Sequence, residues 1–267
     1  MLLYRFAWPT RLKDMMLIFG RSKSYISVVV NRTVNYLFER YHEKLFWDTS
    51  RLTLDQLHRY EAAIQSACGF RGIWGFIDGT VRPIARPMEQ QEQYYSGHKC
   101  YHGIKYQGIV TPDGLITSLY GPRFGPEGDW KLWKDCKIEL KLRELFVHDP
   151  SSLLYLYGDA GYFLSYGVMC PYSSRGITSR QDAANVEMSS ARIVVEWAFG
   201  IVLNQFSYGE KKRGQQIGIS PIGAYYIIAV LLTNCQTCLR GRNQISDRFN
   251  NAMPPPSLHE YLSSLLS

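Results

Sequence analysis

The sequence predicts an α/β fold, a mixed sheet flanked by helices and preceded by a small helical module. Three observations predict it. Apolar residues recur at helical spacing through residues 10–46 and again over 53–67. At Gly69 the texture changes to short apolar runs bounded by glycine and proline, which read as strands. Two of these runs, GIWGFID and LLYLYGD, each stop at an aspartate, with a helical stretch between them.

The elements follow in order. In RLKDMMLIFG, Leu12, Met15, Met16 and Phe19 share one helical face. Gly20-Arg21-Ser22 interrupts it, and Ile26, Val29, Val30, Val34, Leu37 and Phe38 then resume the spacing. Two helices around a short glycine turn make a helix-turn-helix pattern. Arg21, Lys23, Ser24 and Tyr25 would open its second helix, where contacts to bases and phosphates usually lie. A plain helical hairpin produces the same pattern.

Further on, the prolines of VRPIARP favour an edge strand or loop after Asp78-Gly79. Residues 88–98 read as a polar loop. IKYQGIV, TPDG and LITSLYG read as strand, tight turn and strand, and GPRFGPEG as a loop. A helix is expected from Trp130 to Phe146, with Leu132, Trp133, Cys136, Leu140 and Leu145 on its apolar side. Leu153 to Gly158 is an unbroken apolar run, as in a buried parallel strand. A mixed loop at 165–188 is expected to precede a helix from about Ser190 to Phe206. The basic loop GEKKRGQQ and an apolar helix from Pro221 to about Leu239 come next. Antiparallel strands followed by a helix and a parallel strand form the ribonuclease H pattern. The expected organisation is a helical module at 1–68, a ribonuclease H-like core at 69–245 and a tail at 246–267.

Composition narrows the function class. The chain is 46% hydrophobic and 20% charged, which suits a globular protein rather than a disordered one. A net charge of +7 favours a polyanionic partner such as nucleic acid, although a plain basic protein would share it. The six cysteines are too scattered for a disulfide framework. Cys235 and Cys238 lie in an apolar helical segment without a second pair, which favours packing over zinc. His98, Cys100 and His102 lack a clear fourth ligand. Early charges at Arg5, Arg11, Lys13 and Asp14 break up any secretory signal. The longest apolar run, Ile222 to Leu232, is too short for a bilayer. A soluble intracellular protein is expected.

Three carboxylates carry the chemistry. Asp78 and Asp159 each close an apolar run and are followed by small residues, Gly79 and Ala160-Gly161. A carboxylate so placed is costly to bury without a partner. Ligands of open α/β sheets bind at the carboxyl ends of strands. Glu196 stands in ARIVVEWAFGIVLNQF, an apolar helix expected to be largely buried, with Gly200 one turn on. The plain alternative for Glu196 is an ion pair with Arg192, four residues earlier. Three converging carboxylates suit Mg²⁺ or Mn²⁺, and phosphodiester-cleaving sites hold two such ions about 4 Å apart.

GFIDGTVRPIARP, YYSGHKCYHGIKYQGIVTPDGLITSLYGP, YGDAGY and ARIVVEWAFG occur in this order. Together they closely resemble the DDE domain of PIF/Harbinger transposases and their domesticated nuclease relatives, over roughly residues 70–240. The resemblance implies that Asp78, Asp159 and Glu196 are catalytic metal ligands for Mg²⁺ or Mn²⁺. It also implies action on DNA in the nucleus, a separate Myb-like helper protein and, by analogy with transposases, a homodimer. No membrane partner is expected.

Lys99, Lys105, Lys211, Lys212 and Arg213 become candidates for phosphate contacts, which give affinity without sequence reading. The N-terminus is short against the resembled family, so a trimmed DNA-binding module is expected. One departure stands out: Gly128-Asp129 occupies the place of the family's usual His-Asp pair. Two readings follow. One is a metal-dependent DNA endonuclease or transposase, mobile or domesticated. The other is a catalytically inactive transposase-derived DNA-binding or regulatory protein.

Overall fold

Four helices open the chain in the structure, a computed structural model that describes residues 1–173, 175–210 and 215–264. They are α1 (Leu2–Ala7), α2 (Leu12–Phe19), α3 (Lys23–Phe46) and α4 (Leu54–Cys68). Gly20 ends α2 in the left-handed conformation, φ 60°, which glycine adopts without steric cost. Ser22 then caps α3, its side chain accepting from Tyr25 N–H at 3.2 Å. Met15, Ile26 and Val30 fill the angle between the two helices. The expected helix pair around a glycine turn is therefore present. Farther along, Val34 and Leu45 of α3 and Ile64 of α4 enter the same core as the sheet.

The sheet and its covering helices follow: β1 (Ile73–Pro83), α5 (Gln91–Tyr94), β2 (Tyr95–Ser96), β3 (Tyr101–Val110), β4 (Ile116–Phe124), α6 (Asp129–Cys136), α7 (Ile138–Leu145), β5 (Tyr155–Tyr157), β6 (Val168–Met169) and α8 (Ser179–Gln205). Last come α9 (Ile222–Arg240), α10 (Gln244–Arg248) and α11 (Leu258–Ser264). β1 pairs antiparallel with β3 and parallel with β5. β3 also pairs antiparallel with β4 and, at its start, with β2, while β5 pairs parallel with β6. This mixed sheet flanked by helices is compatible with a ribonuclease H-like core.

Alternation along the strands divides the apolar residues between two layers. Phe76, Ile104, Tyr106 and Val110 pack with Val194, Val195, Ala198 and Val202 of α8 and with α9. Ile77, Ile109 and Leu156 pack on the other face with Trp133, Ile138 and Leu142 of α6 and α7. α9 is apolar and long enough to cross a membrane by length and composition, but 72% of that stretch is buried inside the protein. It is the central helix of the first layer, and it holds Cys235 and Cys238; all six cysteines are free.

Five expectations need correction, the first being that β4 runs on to Phe124 through the GPRF expected as loop. β1 does not stop at Asp78 but pairs with β3 as far as Pro83 opposite Gly103. Its proline, Pro83, is tolerated because β5 accompanies β1 only to Phe76, so the later part is an edge. The stretch 88–98 contains α5 and β2 rather than only loop. The helix expected from Trp130 to Phe146 breaks at Lys137, φ 56°, into α6 and α7. The break re-aims the second half, and Leu140 is exposed. Finally, α8 begins at Ser179, where Thr178 and Gln181 form a capping box. Its first three turns are too polar for apolar spacing to reveal.

The β3–β4 turn is anchored by a buried polar network. The Asp113 carboxylate, 2% exposed, accepts from Tyr60 Oη at 2.7 Å, Thr111 Oγ1 at 2.6 Å and Leu115 N–H at 3.2 Å. It also pairs with Arg51 Nη2 at 3.0 Å. Asp113→Ala would leave a buried guanidinium without its charge partner, a change that costs about 3–5 kcal/mol. Urea denaturation should show a loss of that order; a loss below about 1 kcal/mol would mean solvent reaches Arg51 more easily than its burial implies.

Candidate active site

The site begins where two parallel strands separate. Phe76 of β1 pairs with Tyr157 of β5, and the pairing ends there. Asp78 lies two residues beyond the first and Asp159 two beyond the second. Matched register thus brings both aspartates just past the point where the two strands part: Asp159 follows the end of β5, Asp78 lies within β1 where it runs on against β3 alone, and a crevice opens there. Each aspartate is steadied by a following amide. Gly79 N–H donates to Asp78 Oδ1 at 2.8 Å, and Gly161 N–H donates to Asp159 Oδ1 at 2.8 Å.

Strand alternation decides what meets each residue. Asp78 shares the face of Phe76 and so looks toward α8. That helix seats closely because β3 carries Gly108 opposite Asp78. A Cβ on Gly108 would stand 2.8 Å from the Phe199 ring. So placed, α8 directs Arg192 at the strand: Nη1 donates to Asp78 Oδ2 at 3.0 Å, and Nη2 donates to Glu196 Oε1 at 3.2 Å. The helical ion pair weighed as the plain alternative for Glu196 does form, and the same guanidinium also holds Asp78. Glu196 is not buried as expected; its side chain is 56% exposed. α8 buries Ala191, Val194, Val195, Ala198 and Val202, which leaves Arg192, Glu196 and Gly200 as a stripe along the cleft.

The opposite face supplies a fourth carboxylate. Gly79 looks toward α6, and a Cβ there would fall 1.8 Å from Asp129 Oδ1. A Cβ on Gly161 would stand 3.5 Å from Asp129 Oδ2. Asp129, in the first turn of α6, therefore sits between the glycines that follow Asp78 and Asp159. Lys105 Nζ lies 3.0 Å from Asp129 Oδ1 and donates to the Glu127 carbonyl at 2.8 Å. The contact with Asp129 is an ion pair without hydrogen-bond alignment, and Oδ1 is buried with no hydrogen-bond donor. Beneath the group lies fully buried Tyr162, whose hydroxyl is pushed well above its ordinary range by burial and then by Asp129, Asp78 and Asp159. Sequence reasoning noted Asp129 but left it out of the site. Only the packing of α6 on Gly79 brings it in.

These side chains line one open cleft of about 840 Å³, with Asp78, Asp129, Asp159, Arg192 and Glu196 at one end and Ser96, His98 and Lys99 along its wall. Lys99 is exposed there. Lys105, expected beside phosphate, has its ammonium engaged inside the protein by Glu127 and Asp129. Arg21, Lys23, Ser24 and Tyr25 are all exposed at the start of α3, the Arg21 guanidinium 5.6 Å from the Tyr25 ring centre. Lys211, Lys212 and Arg213 lie outside the described residues. His98, Cys100 and His102 do not form a metal-binding group.

The donor chemistry fits a hard divalent cation, since every anionic ligand is a carboxylate oxygen. As the side chains stand, no three acidic, histidine or cysteine side chains among the described residues converge on one point. Arg192 stands between Asp78 and Glu196 and donates to both. Burial pushes Asp78 up to about 6; Arg192 and the Gly79 amide pull it down, and Asp159 and Asp129 push it up.

A family model described as DDE superfamily endonuclease matches residues 77–234. No curated protein and no solved structure matches the chain.

The Asp78 shift gives a signed expectation. The folded chain holds this proton more tightly than the unfolded chain, whose aspartates titrate near 4. Its stabilising contribution is present below about pH 4 and is lost as pH rises through about 6. The ionised group is thus a net burden on the metal-free fold. Asp78→Asn should melt above the wild type in chelator at about pH 7.5, and the gap should close toward about pH 4.5. An equal or lower melting temperature at the higher pH would show that the Arg192 contact outweighs desolvation.

Proposed function

The chain belongs to the DDE superfamily endonuclease family, and from that premise we propose that it cuts DNA phosphodiester bonds at Asp78, Asp159 and Glu196. The observation that supports this reading is the matched placement of Asp78 and Asp159 just past the last residues at which β1 and β5 pair, with Glu196 on α8 lining the same cleft and joined to Asp78 through Arg192. These three residues would hold Mg²⁺ or Mn²⁺. Such ions, when bound, activate the attacking hydroxyl and offset charge on the leaving oxygen.

The chain's own groups prepare that site. The Gly79 and Gly161 amides fix one oxygen of each aspartate. Lys105 balances the charge of Asp129. Lys99 on the cleft wall and the exposed group Arg21, Lys23, Ser24 and Tyr25 suit phosphate contacts that position DNA. We place the chain in the PIF/Harbinger branch, acting in the nucleus, with a Myb-like helper protein and a homodimer as partners.

Gly128 favours a second reading, an inactive DNA-binding or regulatory relative. It stands where the resembled family has a histidine, and a side chain there would meet open space at the cleft.

Cleavage of supercoiled plasmid in Mg²⁺ or Mn²⁺ decides between the two. Asp78→Ala, Asp159→Ala and Glu196→Ala should each lower the rate by about a thousandfold or more, with DNA binding retained, because the carboxylates act on transition-state charge. Binding without cleavage by the folded wild type would favour the inactive reading. Cleavage that survives in the three variants would remove the triad assignment.

A further inference from the structure

We infer that Arg192 is a positioning residue, the built-in counter-ion of the metal-free site, and that it must let go of Asp78 when a divalent cation enters. The inference rests on the nuclease reading above. It starts from Asp78, both of whose oxygens are committed. Oδ1 accepts from Gly79 N–H at 2.8 Å and Oδ2 from Arg192 Nη1 at 3.0 Å. The second arm of the same guanidinium holds Glu196 Oε1 at 3.2 Å. One cation thus bridges two of the three carboxylates proposed as ligands, from two different elements.

A guanidinium carries only N–H donors and a permanent positive charge. It cannot join a metal's ligand shell, and it repels a second cation that approaches the same oxygen. Arg192 and a divalent ion are therefore competitors for Asp78 Oδ2. The need for some cation is equally plain. Among the described residues the ion pairs of these carboxylates are made by Arg192, to Asp78 and Glu196, and by Lys105, which Asp129 and the Glu127 carbonyl already hold.

The surroundings permit the exchange. Arg192, Glu196 and Gly200 follow one another along the cleft side of α8, and a side chain at Gly200 would meet nothing within 4 Å. The cleft continues past Phe199 and Leu203. A released guanidinium would stay on the cleft wall, where its fork of donors suits a phosphate. Lys105 differs, because it is pinned by a main-chain carbonyl as well as by a carboxylate.

A purely structural ion pair predicts that loss of Arg192 loosens the site and weakens metal binding. A displaced counter-ion predicts the reverse. Calorimetric titration of Mn²⁺ into the full metal-free chain, without DNA, separates them. Arg192→Gln should bind Mn²⁺ about tenfold more tightly than wild type, the scale of one solvated charge contact. Arg192→Lys should fall between, since lysine keeps the charge but cannot bridge two carboxylates; it carries the test alone if the glutamine variant does not fold. Unchanged or weaker binding in these variants, with wild-type binding abolished by Asp159→Ala, would overturn the inference and leave the nuclease reading intact. Absence of any wild-type Mn²⁺ binding that Asp159→Ala abolishes would overturn the nuclease reading, and the inference with it.

Discussion

The site depends on one electrostatic constraint: several carboxylates must share a partly desolvated cleft without forcing it open. Like charges brought together raise one another's proton affinity, and desolvation adds to the effect. Asp78 shows both, with burial the larger cause. The fold answers with a cation from each face of the sheet. Arg192 comes from α8 and meets Asp78 and Glu196. Lys105, on β3, reaches Asp129 at the start of α6.

That arrangement requires close approach, and glycine makes it possible at Gly108 and Gly79. Gly108 lets the Phe199 ring settle on β3 and brings α8 down over the strand end. Gly79 leaves the space that Asp129 fills. Gly161 lets its amide turn back on Asp159 while Asp129 stands nearby. A side chain at Gly108 or Gly79 would collide with Phe199 of α8 or Asp129 of α6, whose approach sets the geometry of the carboxylates. The small residues around the acidic ones are therefore part of the site, although none of them carries chemistry.

The N-terminal helices have a double character. α2 and the start of α3 make a small packed unit of their own around Met15, Ile26 and Val30. The rest of α3 and α4 belong to the core that supports the sheet. The exposed group Arg21, Lys23, Ser24 and Tyr25 thus sits at the far end of a helix rooted beside the sheet.

Much of this was legible in the sequence. Apolar periodicity marked α2, α3, α4 and α9, and turn residues marked the β3–β4 hairpin. The aspartates closing two apolar runs pointed to neighbouring strand ends. Periodicity failed where the local pattern was polar, as in the first turns of α8, or where one left-handed residue, Lys137, broke a regular run. It also misjudged Glu196: its apolar helix reads as largely buried, whereas one stripe of α8 faces the cleft. By itself the sequence determined which two aspartates close apolar runs and the order of the main helices and strands, because these follow from short-range spacing and turn chemistry. Only the tertiary structure decided that Asp129 joins the site, that Arg192 spans two carboxylates and that Lys105 is held inside. Those outcomes depend on which faces of α6, α8 and β3 meet across β1, and that is set by packing between residues distant in the chain.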